Sequence, residues 1–377
     1  MESEITTPSS YPVRKMIQRV ANPKAMAIVG ATALVGNDLA VTTDATVVIT
    51  DGVIGAIGGR TNTEVPEGAE VFDARGATLI PGFIDAHVHV GFVEPRAIVT
   101  GGVTTVRDLG WPPARIAPLV SASRADDFDG PTILAAGPML TAPGGYPTRA
   151  AWAPPGTGLE VEGPEAAPGA VATVADAGAV VVKVALNPPV GPVLDAATLA
   201  AIVDAAHVRE LRVTGHVYGL DELDKALDAG MDELAHMLMS DERIPDQMLT
   251  RMVDAGMAVV PTLSIFSGRG LRTAIANLYA FRNAGGKVLY GTDLGNEGPR
   301  PGIDPSEVRA MANAGMSGHD IIRAATVDAA GWLGLGSTGT IVEGRDADLV
   351  LVDGDPVAAP EVLTDIVAVW RRGTRVR

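Results

Sequence analysis

Two histidines, His87 and His89, stand one residue apart at the end of an apolar run, Phe83-Ile84-Asp85-Ala86-His87-Val88-His89. Side chains alternate along a strand with period two, so both imidazoles share one face. Two neutral imidazoles at that spacing make a bidentate metal site; two histidines hydrogen-bonded to their neighbours would show the same spacing. His216 and His236 each close another candidate strand, at residues 212–216 and 233–236. The chain has only six histidines, and these four all end candidate strands. The other two read as structural or solvated: His207 lies in a helical run and His319 in the first turn of another helix. Asp293 ends Tyr290-Gly291-Thr292-Asp293. Its carboxylate could ligate a metal, move a proton or cap a helix.

Lys183 lies inside Val180-Val181-Val182-Lys183-Val184-Ala185. Burying an unpaired ammonium costs on the order of several kcal/mol, so such a lysine is neutral, paired or modified. Alternation sends Val182 and Val184 one way, toward a helix layer, and Lys183 the other. A desolvated lysine has a depressed pKa and becomes nucleophilic. It can then add CO₂ to give a carbamate, an anion with two oxygens able to bridge two cations. A Schiff-base lysine and a lysine paired with Asp293 stay open as alternatives.

For these side chains to meet, the strands that carry them must bring their ends together. Residues 77–335 alternate strand and helix, with candidate strands at 82–89, 104–108, 132–136, 179–185, 212–216, 233–236, 258–261 and 288–293. Asp195 can cap a helix through His207, Gly230 can stop the helix at 221–229, and Ser317 can cap one running toward Leu333. Eight strands in a βα series over roughly 250 residues suit a (β/α)8 TIM barrel, whose sites sit at the C-terminal ends of the strands. The fifth and sixth strands, ending at His216 and His236, would then be neighbours. Closure would bring Asp293, on the eighth, beside His87 and His89. A doubly wound sheet would want a Gly-rich phosphate loop after its first strand, where His87-Val88-His89 stands instead.

Both chain ends are β-rich. Asp51-Gly52 and Arg372-Gly373 are hairpin signals between short apolar runs. The expected fold is therefore α/β: the barrel at 77–335, and a small β-sandwich domain formed by both chain ends, 24–76 plus 336–377. Residues 1–23 are polar and read as an N-terminal tail or arm.

Composition narrows the function. The 377 residues are 47% hydrophobic and 20% charged, an ordinary globular balance. The net charge of −16 repels phosphate backbones, so no nucleic-acid partner is expected. No uncharged apolar run reaches membrane-spanning length, so no membrane partner is expected either. The absence of cysteine removes disulfides, thiolate metal sites and cysteine nucleophiles. The N-terminus, MESEITTPSSYPVRK, carries acids and lacks a secretory h-region. A cytoplasmic protein acting on a small molecule, as a monomer or a homo-oligomer, is the expectation.

The chain resembles the amidohydrolase superfamily of metal-dependent hydrolases over nearly all of residues 27–377. The carrying segments are Leu79-Ile80-Pro81-Gly82-Phe83-Ile84-Asp85-Ala86-His87-Val88-His89, Gly102-Val103-Thr104-Thr105-Val106-Arg107-Asp108-Leu109-Gly110, Gly291-Thr292-Asp293 and Gly344-Arg345-Asp346-Ala347-Asp348-Leu349-Val350. The resemblance implies two divalent metal ions, with zinc expected since imidazole ligands suit it. His87 and His89 would bind the more buried ion and His216 and His236 the more exposed one. Lys183, as a CO₂-derived carbamate, would bridge both. Asp293 would ligate the buried ion and act as the catalytic proton shuttle. A bridging hydroxide would attack the scissile carbonyl.

Deaminases of the superfamily usually use one metal and a Glu three residues after the fifth-strand histidine. That position is Gly219 here, and deaminases also lack the bridging lysine. The segments around His216-Val217-Tyr218 and Ala229–His236 look most like the branch of Xaa-Pro dipeptidases and aminoacyl carboxypeptidases. Amide hydrolysis, peptide-like or N-acyl, is therefore the expected activity. A mononuclear deaminase, or a hydrolase of lactone, carbamate or phosphoester bonds, is the alternative. Relatives often carry Gly-Gly-His after the third strand, where Gly144-Gly145-Tyr146 stands here. Position alone suggests substrate contacts at Tyr146, Arg149, Tyr218, Asn296 and Arg300, with Arg149 as a carboxylate clamp and the loop at 146–168 as a lid.

Overall fold

A computed structural model describes residues 25–377; the expected tail at 1–23 lies outside the described residues. Strands from both chain ends share one eight-stranded sheet. Ala25–Val35, Ala40–Thr50 and Val53–Gly59 form a meander joined at Asp51-Gly52, both in the left-handed region at φ 50° and 83°. Left-handed geometry at both turn residues matches the twist of the flanking strands. The C-terminal hairpin Ile366–Arg371/Thr374–Arg375 repeats the device at Arg372-Gly373. Leu349–Asp353 runs antiparallel to Ala77–Pro81, with Leu349 opposite Pro81 and Asp353 opposite Ala77. That pairing stitches the last strands to the first. Apolar residues of both ends, among them Ile28, Leu79, Leu351 and Trp370, pack in one buried cluster.

Gly82 links this sheet to the first barrel strand. A Cβ there would lie 2.2 Å from the Thr104 hydroxyl and 2.9 Å from its Cβ, so glycine leaves the space that the Thr104 side chain fills. Eight parallel strands then follow among the described residues: Phe83–Val88, Val103–Asp108, Thr132–Ala135, Val182–Leu186, Val213–Val217, Glu233–Leu234, Ala258–Val259 and Lys287–Val288. Two gaps in the ladder close by backbone hydrogen bonds. Val180 N donates to Ala135 O at 2.9 Å, joining the third strand to the fourth. Ala86 N donates to Tyr290 O at 3.0 Å and Asp293 N to His87 O at 2.8 Å, joining the eighth to the first. The ring is that of a (β/α)8 barrel, matching the βα order read from the sequence. The fourth strand is buried along its whole length, as a parallel strand between a filled interior and a helix layer must be.

Asp195 caps Ala196–Val208, accepting from Thr198 N at 2.7 Å. Ser317 and Asp320 form a reciprocal capping box at Gly318–Ala325. The expected single helix from Ser317 to Leu333 is two, Gly318–Ala325 and Val327–Leu333, broken at Thr326. The Thr326 hydroxyl donates to Ile322 O at 2.6 Å, the acceptor a continuing helix would give to its N–H. Two further short strands carry no clear signal in the sequence. Met139–Thr141 pairs with the fourth barrel strand, and Gly158–Glu160 pairs with Met139–Thr141. Surrounding prolines and glycines mask them. Among the described residues, no helix is long and apolar enough to cross a membrane.

Candidate metal centre

Period two places His87 on the first barrel strand and His89 one residue past its end, aimed into the barrel mouth. His216 lies in the fifth strand, and His236 two residues beyond the sixth. All four are buried, with exposures from 1% to 7%. The rings form a continuous cluster, with centroids 5.4 Å apart for His87 and His89, 4.6 Å for His87 and His236, and 4.9 Å for His216 and His236. Asp293 lies against them. Its Oδ1 is 3.2 Å from Nε2 of both His87 and His89, and its Oδ2 is 3.8 Å from His236 Nδ1. His87, His89 and Asp293 converge closely enough to hold one metal ion.

Asp293 reaches this place through strained backbone, at φ 57°. That conformation is uncommon outside glycine, and such residues gather at functional sites. No helix starts at Asp293; the next one, Pro305–Asn313, is capped by Asp304. The helix-cap alternative is thus removed. Gly291 lets the eighth strand press on the first, since a Cβ there would lie 3.1 Å from His87 N and 2.3 Å from Val260.

Lys183 projects into the same cluster from the fourth strand. Its ammonium nitrogen is buried and has no hydrogen-bond partner among the described residues. Burial lowers its pKa from 10.5 to about 7, against the pull of the Asp293 and Glu233 carboxylates. The imidazoles respond to the same setting. Burial, and then the Lys183 charge, hold His87 well below 6.5 and bring His216 down to about 3. Burial and then His216 hold His236 low. His89 is raised: burial opposes its charge, but the Asp293 carboxylate outweighs it. At neutral pH His87, His216 and His236 therefore offer neutral imidazole lone pairs, the form that binds metals. His87 has its tautomer fixed, because its Nδ1 lies 2.8 Å from the carbonyl of Ala235 and must donate. Its Nε2 lone pair is left free toward Asp293, as a metal ligand requires.

A polar layer lies beneath. The buried Arg107 guanidinium meets Glu233 at 2.5 Å and donates to Ala86 O at 2.8 Å. Glu233 also accepts from Thr214 at 2.7 Å and from Trp332 Nε1 at 2.6 Å. Asp85, its carboxyl raised to about 7 by burial, accepts from the N–H of His87 and of Thr292, each at 3.1 Å. Asp108, raised to about 6 by burial, accepts from Val90 N and Gly110 N and so holds the chain beyond His89. These groups tie the first, second, fifth and sixth strands together directly under the histidines.

Above the histidines opens a cavity of about 530 Å³. Tyr146 and Asn296 line it, as expected. Three other expected contacts do not. Tyr218 is half-buried outside the lining, because its strand ends at Val217 and period two no longer applies. Arg149 is exposed, with its guanidinium beside Gly144 instead of in the cavity. Arg300 is exposed, and its N–H donates to Asp304 at 2.8 Å. The loop at 146–168 contributes Trp152, which the sequence reading missed. Asn187 was missed as well; its amide lies 3.1 Å from His216 Nε2. It follows the fourth strand directly, a position that could have drawn notice.

The amidohydrolase family model matches residues 78–376. An uncharacterised protein of Mycobacterium tuberculosis is 31% identical over 349 residues, covering 84% of this chain and 90% of its own length. The adenine deaminase of Salinibacter ruber is 29% identical over 319 residues, covering 82% of this chain and 52% of that protein. A crystal structure of a Xaa-Pro dipeptidase with methionine in its active site is similar in fold. Its TM-score is 0.80 at 23% identity, covering 93% of this chain and 99% of that one.

Proposed function

From the premise that the chain belongs to the amidohydrolase family and is an enzyme acting on C–N bonds, we propose that it hydrolyses an amide, peptide-like or N-acyl. His87, His89 and Asp293 would hold one divalent ion, His216 and His236 a second, and Lys183 would lie between them as a carbamate. The observation that carries this reading is the Lys183 nitrogen, buried among four imidazoles and Asp293 with no hydrogen-bond partner among the described residues. As an ammonium it would repel the cations its neighbours are arranged to bind. As a carbamate it would become an anion with two oxygens, and its burial would have a reason. Ions bound there would lower the pKa of water toward neutrality and polarise the scissile carbonyl.

The chain's own residues would do the rest. Asp293 would take the attacking water's proton at Oδ2, the oxygen away from His87 and His89, and deliver it to the leaving nitrogen. The Ala235 carbonyl would keep His87 in the ligating tautomer. Trp152 and Tyr146 would screen the site from bulk water.

Deamination is the second reading, favoured by the likeness to adenine deaminase. Against it, Gly219 stands where a deaminase glutamate is expected. One experiment separates them: metal content per chain, with zinc-loaded protein assayed on N-acyl amino acids, dipeptides, lactones, carbamates and adenine. Two ions per chain and release of an amine from an amide support the proposal. One ion per chain and release of ammonia from adenine overturn it.

A further inference from the structure

Resting on the reading of this site as an amide hydrolase, we propose that it takes a neutral aromatic amide and excludes substrates with a free carboxylate beside the scissile bond. Two features of the cavity point the same way: an aromatic wall beginning at the histidines, and the lack of any lining Lys or Arg above the floor.

The Tyr146 ring centroid lies 5.3 Å from His216 and 6.0 Å from Trp152. Trp152 in turn lies 5.8 Å from His89 and 6.2 Å from Phe92. Three aromatic rings thus run outward from the imidazoles, ending at Phe92, which is 47% exposed at the rim. Aromatic residues make up only 4% of the chain, so their concentration here is not a reflection of composition. Ring centroids 4.5–7 Å apart with tilted planes are the spacing at which aromatic pairs attract. A substrate ring entering along this wall would find partners along its path. Met139, Met239 and Ile265 complete the apolar lining, and methionine adapts to varied shapes.

Among the described residues lining the cavity, the only Lys or Arg is Lys183, which lies at the floor with the reacting groups. Asp293 and Glu297 are both anionic types, and Glu297 is exposed at the rim. A carboxylate held beside the scissile bond, above this floor, would shed water without gaining a guanidinium or ammonium partner, which is costly. Recognition of a carboxylate is usually the work of an arginine fork, and Arg149 and Arg300 both stand outside the lining. The chain's charge of −16 adds a general bias against anions.

The test compares N-benzoyl-phenethylamine with N-benzoyl-phenylalanine, which differ by one carboxylate, on the zinc-loaded full chain. Binding is read before turnover by stopped-flow displacement of a neutral fluorescent dye, a signal that survives in the Trp152 variants. Hydrolysis is then followed on the same samples. The neutral compound should bind at least tenfold more tightly. Trp152→Ala should weaken it about tenfold, while Trp152→Phe should retain most of the affinity and report a folded site. Glu297→Arg should narrow the tenfold gap. Equal or tighter binding of the carboxylate compound, or no binding of the neutral one at millimolar concentration, overturns the inference. Selective binding of the neutral compound without hydrolysis leaves the inference standing and counts against the hydrolase reading. Preferential hydrolysis of the carboxylate compound does the reverse.

Discussion

Replacing Glu233 by glutamine removes one charge from the layer beneath the histidines and changes its shape very little. The side chains of Arg107 and Glu233 are only 2% and 1% exposed and meet at 2.5 Å. Glu233→Gln would leave the Arg107 guanidinium buried and uncompensated, which costs about 3–5 kcal/mol. Arg107→Met would leave the Glu233 carboxylate in the same position, at a similar cost. The double variant Arg107→Met/Glu233→Gln buries no charge. With its oxygen toward Trp332 Nε1, the glutamine can donate its NH2 to the Thr214 hydroxyl, so both neighbours keep a bond and the further cost of an unsatisfied donor, about 1–3 kcal/mol, is avoided. The double variant should therefore be more stable than either single one, which makes the coupling in the cycle at least as large as one single cost, about 3 kcal/mol or more. Urea unfolding of the metal-free protein measures the four corners, and metal content reports whether the histidines above keep their geometry. Additive costs, with the double variant the least stable of the four, would refute the claim that the pair acts as one buried unit.

Asp293→Asn should retain much of the metal and lower kcat on the order of 10²-fold or more, the usual cost of a lost acid–base group. A near-normal kcat in metal-replete variant protein would remove its role as proton carrier. Lys183→Ala should lower metal content to one ion or none per chain and abolish turnover, with acetate or propionate restoring part of both. Full metal content in that variant would show that the lysine is no ligand. Deleting residues 349–377 strips Leu349–Asp353 from Ala77–Pro81, so hydrogen exchange should rise across 77–81 and the strands beside it; unchanged protection there would mean that the pairing contributes little.

The histidine and lysine positions were legible because strand periodicity is short and rigid. His87 and His89 had to share a face, and Lys183, flanked by valines in a run too apolar for a surface strand, had to face inward. The union of the two chain ends could be read from hairpin residues that occur outside the βα series. What escaped notice depends on tertiary context. Tyr218 was placed by extending a parity that stops with the strand at Val217. Arg149 was assigned to the site for its chemistry, but it lies on a loop whose course no periodicity constrains. Trp152 and Phe92 meet from segments sixty residues apart and carry no local signature of the wall they build. Asp293 holds a left-handed backbone that nothing in Gly291-Thr292-Asp293 announces, and the break at Thr326 depends on a hydroxyl replacing a backbone donor. The pairing of Arg107 with Glu233 joins strands 126 residues apart in sequence, and only barrel closure reveals it.

The central claim concerns what occupies the space around Lys183. The most direct measurement is a high-resolution crystal structure of protein prepared with zinc and bicarbonate, with anomalous diffraction collected at the zinc edge and activity measured on the same preparation. The account predicts two anomalous peaks among His87, His89, His216, His236 and Asp293, with the Lys183 side chain extended by the three atoms of a carboxylate lying between them. A bare lysine amine beside one ion or none, in fully active protein, would contradict it.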